Sequence, residues 1–290
     1  MLTRKTLLMF LCFSLLSWTV ACDDTEEDTG DDANNTANNN TGDISVALNF
    51  KGAVNGEDFA CGTTYSGVGT TSSDMTPADF RLYIHGIELL TEDGTAVPLE
   101  LDQDSPFQTS DVVLLDFEDK SGPCSNGTTE TNTQATGTAP AGTYTGVRFV
   151  LGVPFELNHA DAAVAESPLN LTAMFWNWQG GYKFMRLEGA TTDTADAARI
   201  HLGSTGCETD DAGATTECSN PNRPTITLED FDLTSNTIVA DLGTLLAGSD
   251  INANTDMTPP GCMSSASDPE CAPILERFGI SGTQAFFSAQ

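Results

Sequence analysis

The chain has 290 residues, of which 42 are acidic and 11 are basic, so its formal net charge is −31. A field of that sign repels nucleic acid and anionic membrane surfaces, which excludes both as partners of the folded part, and it keeps the protein soluble. The same field concentrates cations near the surface. It is therefore compatible with metal binding but selects no particular metal.

Residues 1–22 predict an export signal. Arg4 and Lys5 precede an apolar run, Leu7–Val20, and the small residue Ala21 closes it. This order is typical of a signal peptide, and the run is too short for a spanning helix. The following Cys22 resembles the acylated cysteine of a bacterial lipoprotein, with ordinary cleavage near Ala21 as the alternative. We expect a lipid anchor at Cys22 in the bacterial cell envelope, in the periplasm or on the outer membrane or cell surface.

Residues 23–43 predict a disordered acidic tether. The segment DDTEEDTGDDANNTANNNTGD contains eight carboxylates and no large apolar side chain. Such a segment cannot bury enough surface to offset the entropy of ordering its backbone. A solvated linker behind an acylated cysteine is the simple use for it.

Residues 44–290 predict a single all-β domain, an antiparallel sandwich or barrel. Short segments in which apolar and polar residues alternate are separated by turns rich in Gly, Thr, Asn, Asp and Pro. The predicted strands are 44–50, 80–89, 111–117, 142–151, 182–188, 198–202, 224–233 and 236–241. Short helices are predicted at 159–166 and 169–174, and an irregular cap from about residue 244.

The cysteines predict disulfides. Apart from Cys12 in the signal and the candidate anchor Cys22, six remain, an even number in an exported chain. Six cysteines allow 15 pairings. We favour the sequential set because its last two pairs close short loops: Cys61–Cys124, Cys207–Cys218 and Cys262–Cys271. The chain has no Cys-x-x-Cys, so thiol redox catalysis and covalently bound haem are not expected.

No catalytic motif stands out. The chain has no Gly-x-Ser-x-Gly elbow, phosphate loop, dinucleotide fingerprint or His-Glu-x-x-His. Carboxylates are so abundant that any acid and base pair would be an arbitrary choice. We therefore expect a binding protein rather than an enzyme.

The rare aromatic and imidazole side chains are the candidates for chemistry. Trp176 and Trp178 lie in an aromatic segment, and a regular strand would place both indoles on one face. The same pattern also suits a plain core. The histidines are His85, His159 and His201, and none has a spacing typical of metal ligands. Pattern alone therefore defines no site.

Five blocks in order resemble the MbnP family, periplasmic copper-binding proteins of methanobactin gene cassettes. They span roughly residues 44–241, and together they are far more specific than Trp-x-Trp alone. The blocks are Gly152–Asp161 (GVPFELNHAD), Ser167–Leu171 (SPLNL), Met174–Trp178 (MFWNW) with Gly181–Phe184 (GYKF), His201–Cys207 (HLGSTGC), and Cys218 followed by Pro221–Arg223 (PNR).

The resemblance implies a copper site that depends on a modified tryptophan. In the family the first tryptophan of Trp-x-Trp is oxidised to kynurenine by a dihaem protein related to MauG and bacterial cytochrome c peroxidase. Carried onto this chain, the modified residue is Trp176, and Trp178 is its unmodified neighbour. Opening the indole yields an aryl amine and a ketone, and Cu(I), a soft ion, accepts imidazole and thioether ligands.

The expected ligands are His201, His159 and His85, in that order, with Met174 or Met185 as weaker candidates. Asp161 is the first candidate to hold a ligand imidazole through its other nitrogen. The resemblance also implies that Cys61, Cys124, Cys207 and Cys218 are the four family cysteines. Cys262 and Cys271 depart from that pattern, and we expect them not to touch the copper site.

A second interpretation remains open. A metal-free surface module that binds glycan or protein would use the same β-domain and acidic loops. Its Trp-x-Trp face would then be a sugar platform or part of the core.

Overall fold

The computed structural model describes residues 42–177, 179–192 and 198–290. The predicted export signal, the predicted lipidation site at Cys22 and nearly all of the predicted tether lie outside the described residues. Trp178 also lies outside them.

One sheet is built around the first strand. In β1 the buried Val46, Leu48 and Phe50 alternate with exposed residues, which is the pattern of a strand with one face against a core. The order is β19-β18-β1-β9-β6, with β2 paired to β1. Its strands are β1 (Asp43–Val54), β2 (Glu57–Asp58), β6 (Glu100–Leu101), β9 (Gln134–Pro140), β18 (Ile238–Asp241) and β19 (Phe287–Ala289).

A larger sheet is built around β4, an 18-residue strand. Its path runs β14-β13-β4-β10-β17, and the four remaining strands pair with β4 or with each other. Its strands are β3 (Tyr65–Val68), β4 (Ser73–Leu90), β5 (Ala96–Pro98), β7 (Gln108–Thr109), β8 (Val112–Asp116), β10 (Gly146–Leu151), β13 (Met185–Thr191), β14 (Ala198–Leu202) and β17 (Thr225–Glu229).

The two sheets pack face to face as a sandwich. Phe50 of β1 and Phe149 of β10 meet edge to face with ring centroids 5.9 Å apart, and Phe149 meets Phe287 of β19 at 5.1 Å. These contacts join the sheets through one apolar core. The all-β prediction is confirmed as a sandwich. Its pairs are antiparallel except for β1 with β18, which are parallel.

Two small hairpins lie outside the sandwich sheets, β11 (Phe175–Asn177) with β12 (Gly181–Tyr182), and β15 (Thr205–Thr209) with β16 (Thr215–Asn220). The second hairpin carries the Cys207–Cys218 disulfide, and the structure also contains Cys61–Cys124 and Cys262–Cys271. The sequential pairing is therefore confirmed. The strands β15 and β16 were not predicted, because polar residues occupy both of their faces.

The helices differ from those predicted. α1 (Phe155–Asn158) ends where the predicted helix 159–166 should begin, so that prediction is wrong. Asp161 accepts a hydrogen bond from the Ala163 amide at 2.9 Å, a local turn that competes with helix formation. Of 169–174, a 3₁₀ turn occupies the last three residues, Thr172–Met174.

The C-terminal cap is more regular than the sequence predicts. α2 (Leu242–Leu246) follows β18 directly, and the Asp241 carboxylate caps it by accepting from the Gly243 amide at 2.7 Å. α3 (Ala272–Phe278) then ends at Gly279, which has a positive φ of 87°. Both helices are too short to reveal a helical period in the sequence.

Among the described residues, no helix is both long enough and apolar enough to cross a bilayer.

Candidate metal centre

The Trp176 side chain lies on a short hairpin at one end of the larger sheet. Asn177 tightens the turn between β11 and β12 by accepting from the amides of Gln179, at 3.0 Å, and Gly180, at 2.8 Å. The half-buried indole lies over the backbone of Gly203. A Cβ atom on Gly203 would come within 2.5 Å of the indole Cζ3 atom, so only glycine allows this approach.

His201 lies beside Trp176. It is in β14, two residues before Gly203, and its side chain is 7% exposed. The imidazole and indole centroids are 6.4 Å apart. An ion about 2 Å from an imidazole nitrogen lies about 3 Å from the centre of that ring. The separation therefore leaves room for one ion between His201 and a ligand derived from Trp176.

Glu188 of β13 fixes the His201 ring. His201 Nε2 lies 2.9 Å from Glu188 Oε1. The hydrogen bond from His201, and next the bond from Arg186, hold the pKa of Glu188 down at about 2, against the opposing effect of burial. Burial lowers the pKa of His201, which favours the neutral ring. In that form Nε2–H donates to the carboxylate and Nδ1 carries the lone pair that can bind a metal.

A buried ionic layer supports Glu188. Arg186 contacts Glu188 Oε1 and Asp79 Oδ2, each at 3.0 Å, and Asp79 also pairs with Arg81 at 2.5 Å. Arg81, Arg186 and His201 are register partners in β4, β13 and β14, so their side chains share one sheet face. Burial also lowers the pKa of Lys183, whose ammonium donates to the Ala173 carbonyl, to about 8.

His159 lines a different cavity from Trp176, together with the neighbouring Phe175. Its ring is 4.7 Å from the Phe155 ring, centroid to centroid, and its Nε2 is 3.6 Å from the disulfide-bonded Cys218 sulfur. Nε2 is also 3.1 Å from the amide nitrogen of Asn158, which donates to the Gly180 carbonyl at 3.3 Å. The Asn158 side chain thus connects His159 to the turn of the β11–β12 hairpin. Asp161 lines the same cavity as His159, of about 770 Å³.

His85 lies apart from His201. It lies on β4, four residues beyond Arg81, and its Nδ1 contacts the Gly152 carbonyl at 2.8 Å. Two strand spacings and four residues of rise put its Cα about 16 Å from that of His201. Two imidazoles on one ion keep their Cα atoms within about 13 Å. One ion therefore cannot bind both His85 and His201. Burial lowers the pKa of His85 as well.

The two methionines suggested by the sequence are buried in the core. Met185 pairs with Leu202, one step from the Arg186–His201 pair, so it faces the opposite side of the sheet from His201. Met174 ends the 3₁₀ turn two residues before Trp176 and is fully buried. A different methionine, Met263, lines a cavity of about 500 Å³ with Trp176 and Cys207.

Cys262, which was expected to lie away from the copper site, contacts the backbone of the candidate ligand His201. Cys262 lies along the edge of β14, and its carbonyl accepts from the His201 amide at 3.0 Å. Sequence reasoning also missed Glu188 and Met263. Glu188 is one of 42 acidic residues and carries no signal of its own, and Met263 reaches the site only through the fold of the cap.

A sequence model of the MbnP family matches residues 43–264, most of the chain. The chain belongs to the MbnP family. The fold is also that of the solved structure of MbnP from Methylosinus trichosporium, with a TM-score of 0.74 and 27% identity over 86% of this chain and 98% of that one. A comparison with curated protein sequences found no match.

The matched MbnP region contains Trp176, His201, Glu188 and Met263, so the geometry above belongs to the family domain. The possible ligand atoms around Trp176 and His201 suit a soft monovalent ion. The neutral imidazole is held by a carboxylate through one nitrogen, and a thioether lies in the neighbouring cavity. Glu188 is engaged by His201 and Arg186, so it orients the ring rather than offering a hard oxygen ligand.

Proposed function

We propose that this protein is a lipid-anchored copper-binding protein of the bacterial cell envelope, with no catalytic role. It holds one Cu(I) at a site formed by His201, His159 and the oxidised side chain of Trp176. Its use is copper acquisition or homeostasis. The anchor is Cys22, and the acidic segment behind it is the tether.

The observation that carries the proposal is the position of Trp176 against His201, whose ring Glu188 orients. An intact indole offers no basic lone pair. Its ring-opened product offers an amine and a ketone, and His159, which Asn158 connects to the hairpin turn, adds an imidazole. Such a set of nitrogen and soft donors suits Cu(I).

We propose that the modification is made by a separate dihaem protein of the MauG and cytochrome c peroxidase group. Conversion to kynurenine is a four-electron oxidation: it consumes one O2, or two peroxides with release of two waters, together with one water, and it releases the indole C2 carbon as formic acid. The oxidant must come from outside the chain, which is the role of this partner. The Trp176 indole is only half-buried, so part of it is exposed to an external oxidising protein.

Histidine variants test the site. His201→Gln keeps a nitrogen near Glu188 but removes the imidazole lone pair, so copper per chain should fall from about one to near zero when the protein is produced with its dihaem partner. His159→Gln should weaken binding. The matched control is His85→Asn, which can keep the bond to the Gly152 carbonyl and should retain copper.

Full copper retention by His201→Gln in a correctly folded protein would reject the proposal. Loss of copper in His85→Asn with retention in His201→Gln would place the site elsewhere on the sheet. Circular dichroism of each variant shows whether the fold is intact.

A further inference from the structure

The C-terminal cap adds a short strand-like segment to the edge of β14. Cys262 and Ile200 form a parallel bridge, in which the Cys262 amide donates to the Arg199 carbonyl at 2.8 Å and the His201 amide donates to the Cys262 carbonyl at 3.0 Å. Extended by one residue in the same register, this isolated bridge would place Met263 beside His201. Neighbours in register lie about 4.8 Å apart and share a face.

Ser264 locks this register. It is fully buried, and its hydroxyl donates to the His201 carbonyl at 2.8 Å while accepting from the Gly203 amide at 2.8 Å. Before Met263, the Cys262–Cys271 disulfide ties the same segment to the start of α3. The backbone on both sides of Met263 is thus tied to the strand that carries His201.

The Met263 side chain is half-buried and lines the cavity that Trp176 also lines. The other lining residues are Asn177, Gln179, Gly180, Ser204, Thr205, Gly206 and Cys207. The Cys207 sulfur is in a disulfide, so the Met263 thioether is the soft donor that this described lining offers. A thioether is a soft, uncharged donor of the kind that Cu(I) accepts readily.

We propose that Met263 is a sulfur ligand of the copper ion and sets the preference of the site for Cu(I). This inference rests on the copper site proposed above. The cap that brings Met263 to His201 is then part of the metal centre, and the cysteine pair outside the four family cysteines fixes a ligand.

The test uses protein produced with its dihaem partner and loaded with Cu(I) alone. X-ray absorption should detect a sulfur neighbour of copper in the wild type that is absent in Met263→Leu. Titration against a competing Cu(I) chelator should show at least about a tenfold weaker affinity for Met263→Leu, since even second-shell losses cost 10–100-fold. Met257→Leu is the matched control, because Met257 is fully exposed in the same cap, and it should behave like the wild type.

Met263→His supplies a second readout. An imidazole in place of the thioether should preserve Cu(I) binding and increase affinity for Zn(II). Wild-type affinity in Met263→Leu, or a sulfur signal that persists in it, would overturn the inference while leaving the proposed function standing. Absence of bound copper in modified wild-type protein would overturn both.

Discussion

At the scale of residues, the site depends on how one histidine is held. Glu188 receives the His201 Nε2–H, and Arg186 and Asp79 hold the carboxylate in place. This arrangement fixes which imidazole nitrogen is available. The ring is ready to bind a metal without further rotation, so little ordering entropy is lost when a metal binds.

Glu188→Ala is expected to lower the affinity for Cu(I) by about 10–100-fold, because His201 loses the acceptor that fixes its tautomer and orientation. A chelator competition titration measures the change. Glu88→Ala is the matched control, since Glu88 pairs with Arg148 at 2.7 Å on a more exposed part of the same sheet. Equal affinities for the two variants would contradict this role of Glu188.

Sequence reasoning could identify the rare residues but not how they meet. Trp176 and His201 were marked by the family blocks, and both lie at the site. Their contact depends on Gly203, where the indole lies over the backbone, and on the β13–β14 register that brings Glu188 to His201. His85 was ranked last of the three candidate ligands, and the order of β4, β13 and β14 together with a four-residue offset from Arg81 separates it from His201.

At the scale of elements, the long β-strands were predictable because their apolar residues alternate against the core. The strands of the β15–β16 hairpin could not be predicted, because both of their faces are polar and show no apolar alternation. The Cys207–Cys218 disulfide, rather than an apolar face, joins the two strands. The cap was predicted as irregular because its helices are short. That part of the fold places the Cys262 backbone against His201 and places Met263 in the cavity that Trp176 lines.

Removal of the Cys61–Cys124 disulfide and removal of the Cys262–Cys271 disulfide should affect protein stability and copper affinity differently. Replacing both Cys61 and Cys124 by Ser opens a 63-residue loop and should cost about 4 kcal/mol, whereas the Cys262 and Cys271 pair closes 9 residues and should cost about 2.5 kcal/mol. Copper affinity should fall more when the Cys262–Cys271 pair is removed, because that disulfide holds the segment beside His201. Urea unfolding and chelator titration measure the two effects.

The same ranking in both measurements would contradict this separation. It would mean that copper affinity follows overall stability rather than the position of the cap segment.

At the scale of the whole molecule, the acidic residues of the surface and those of the interior have different surroundings. The surface carries the acidic excess, while the larger sheet buries a cluster of Asp79, Asp116 and Glu118 around Arg81. Burial, with the nearby Glu118 charge, raises the pKa of Asp116 to about 8 despite the opposing Arg81 charge. The folded protein therefore retains a proton there at neutral pH.

Asp116 should make stability depend on pH. Between about pH 4 and 8 the folded carboxyl keeps a proton that the unfolded chain releases, so its contribution to the free energy of unfolding falls as pH rises. Asp116→Asn has no titrating carboxyl group at this position, so its stability does not carry this pH dependence. The stability of Asp116→Asn relative to wild type should rise by on the order of 3–4 kcal/mol from pH 5 to pH 8 in urea unfolding, since each pKa unit corresponds to about 1.4 kcal/mol. A constant difference across that range would refute the assignment.

The most direct measurement of the central claim is made on one preparation of the mature protein produced with its dihaem partner. Peptide mass spectrometry reads the mass of Trp176 while metal analysis counts copper per chain. We expect a gain of about 4 Da at Trp176, from replacement of one indole carbon by oxygen, together with one bound copper. An unmodified Trp176 in protein that still binds copper at full occupancy would contradict the account.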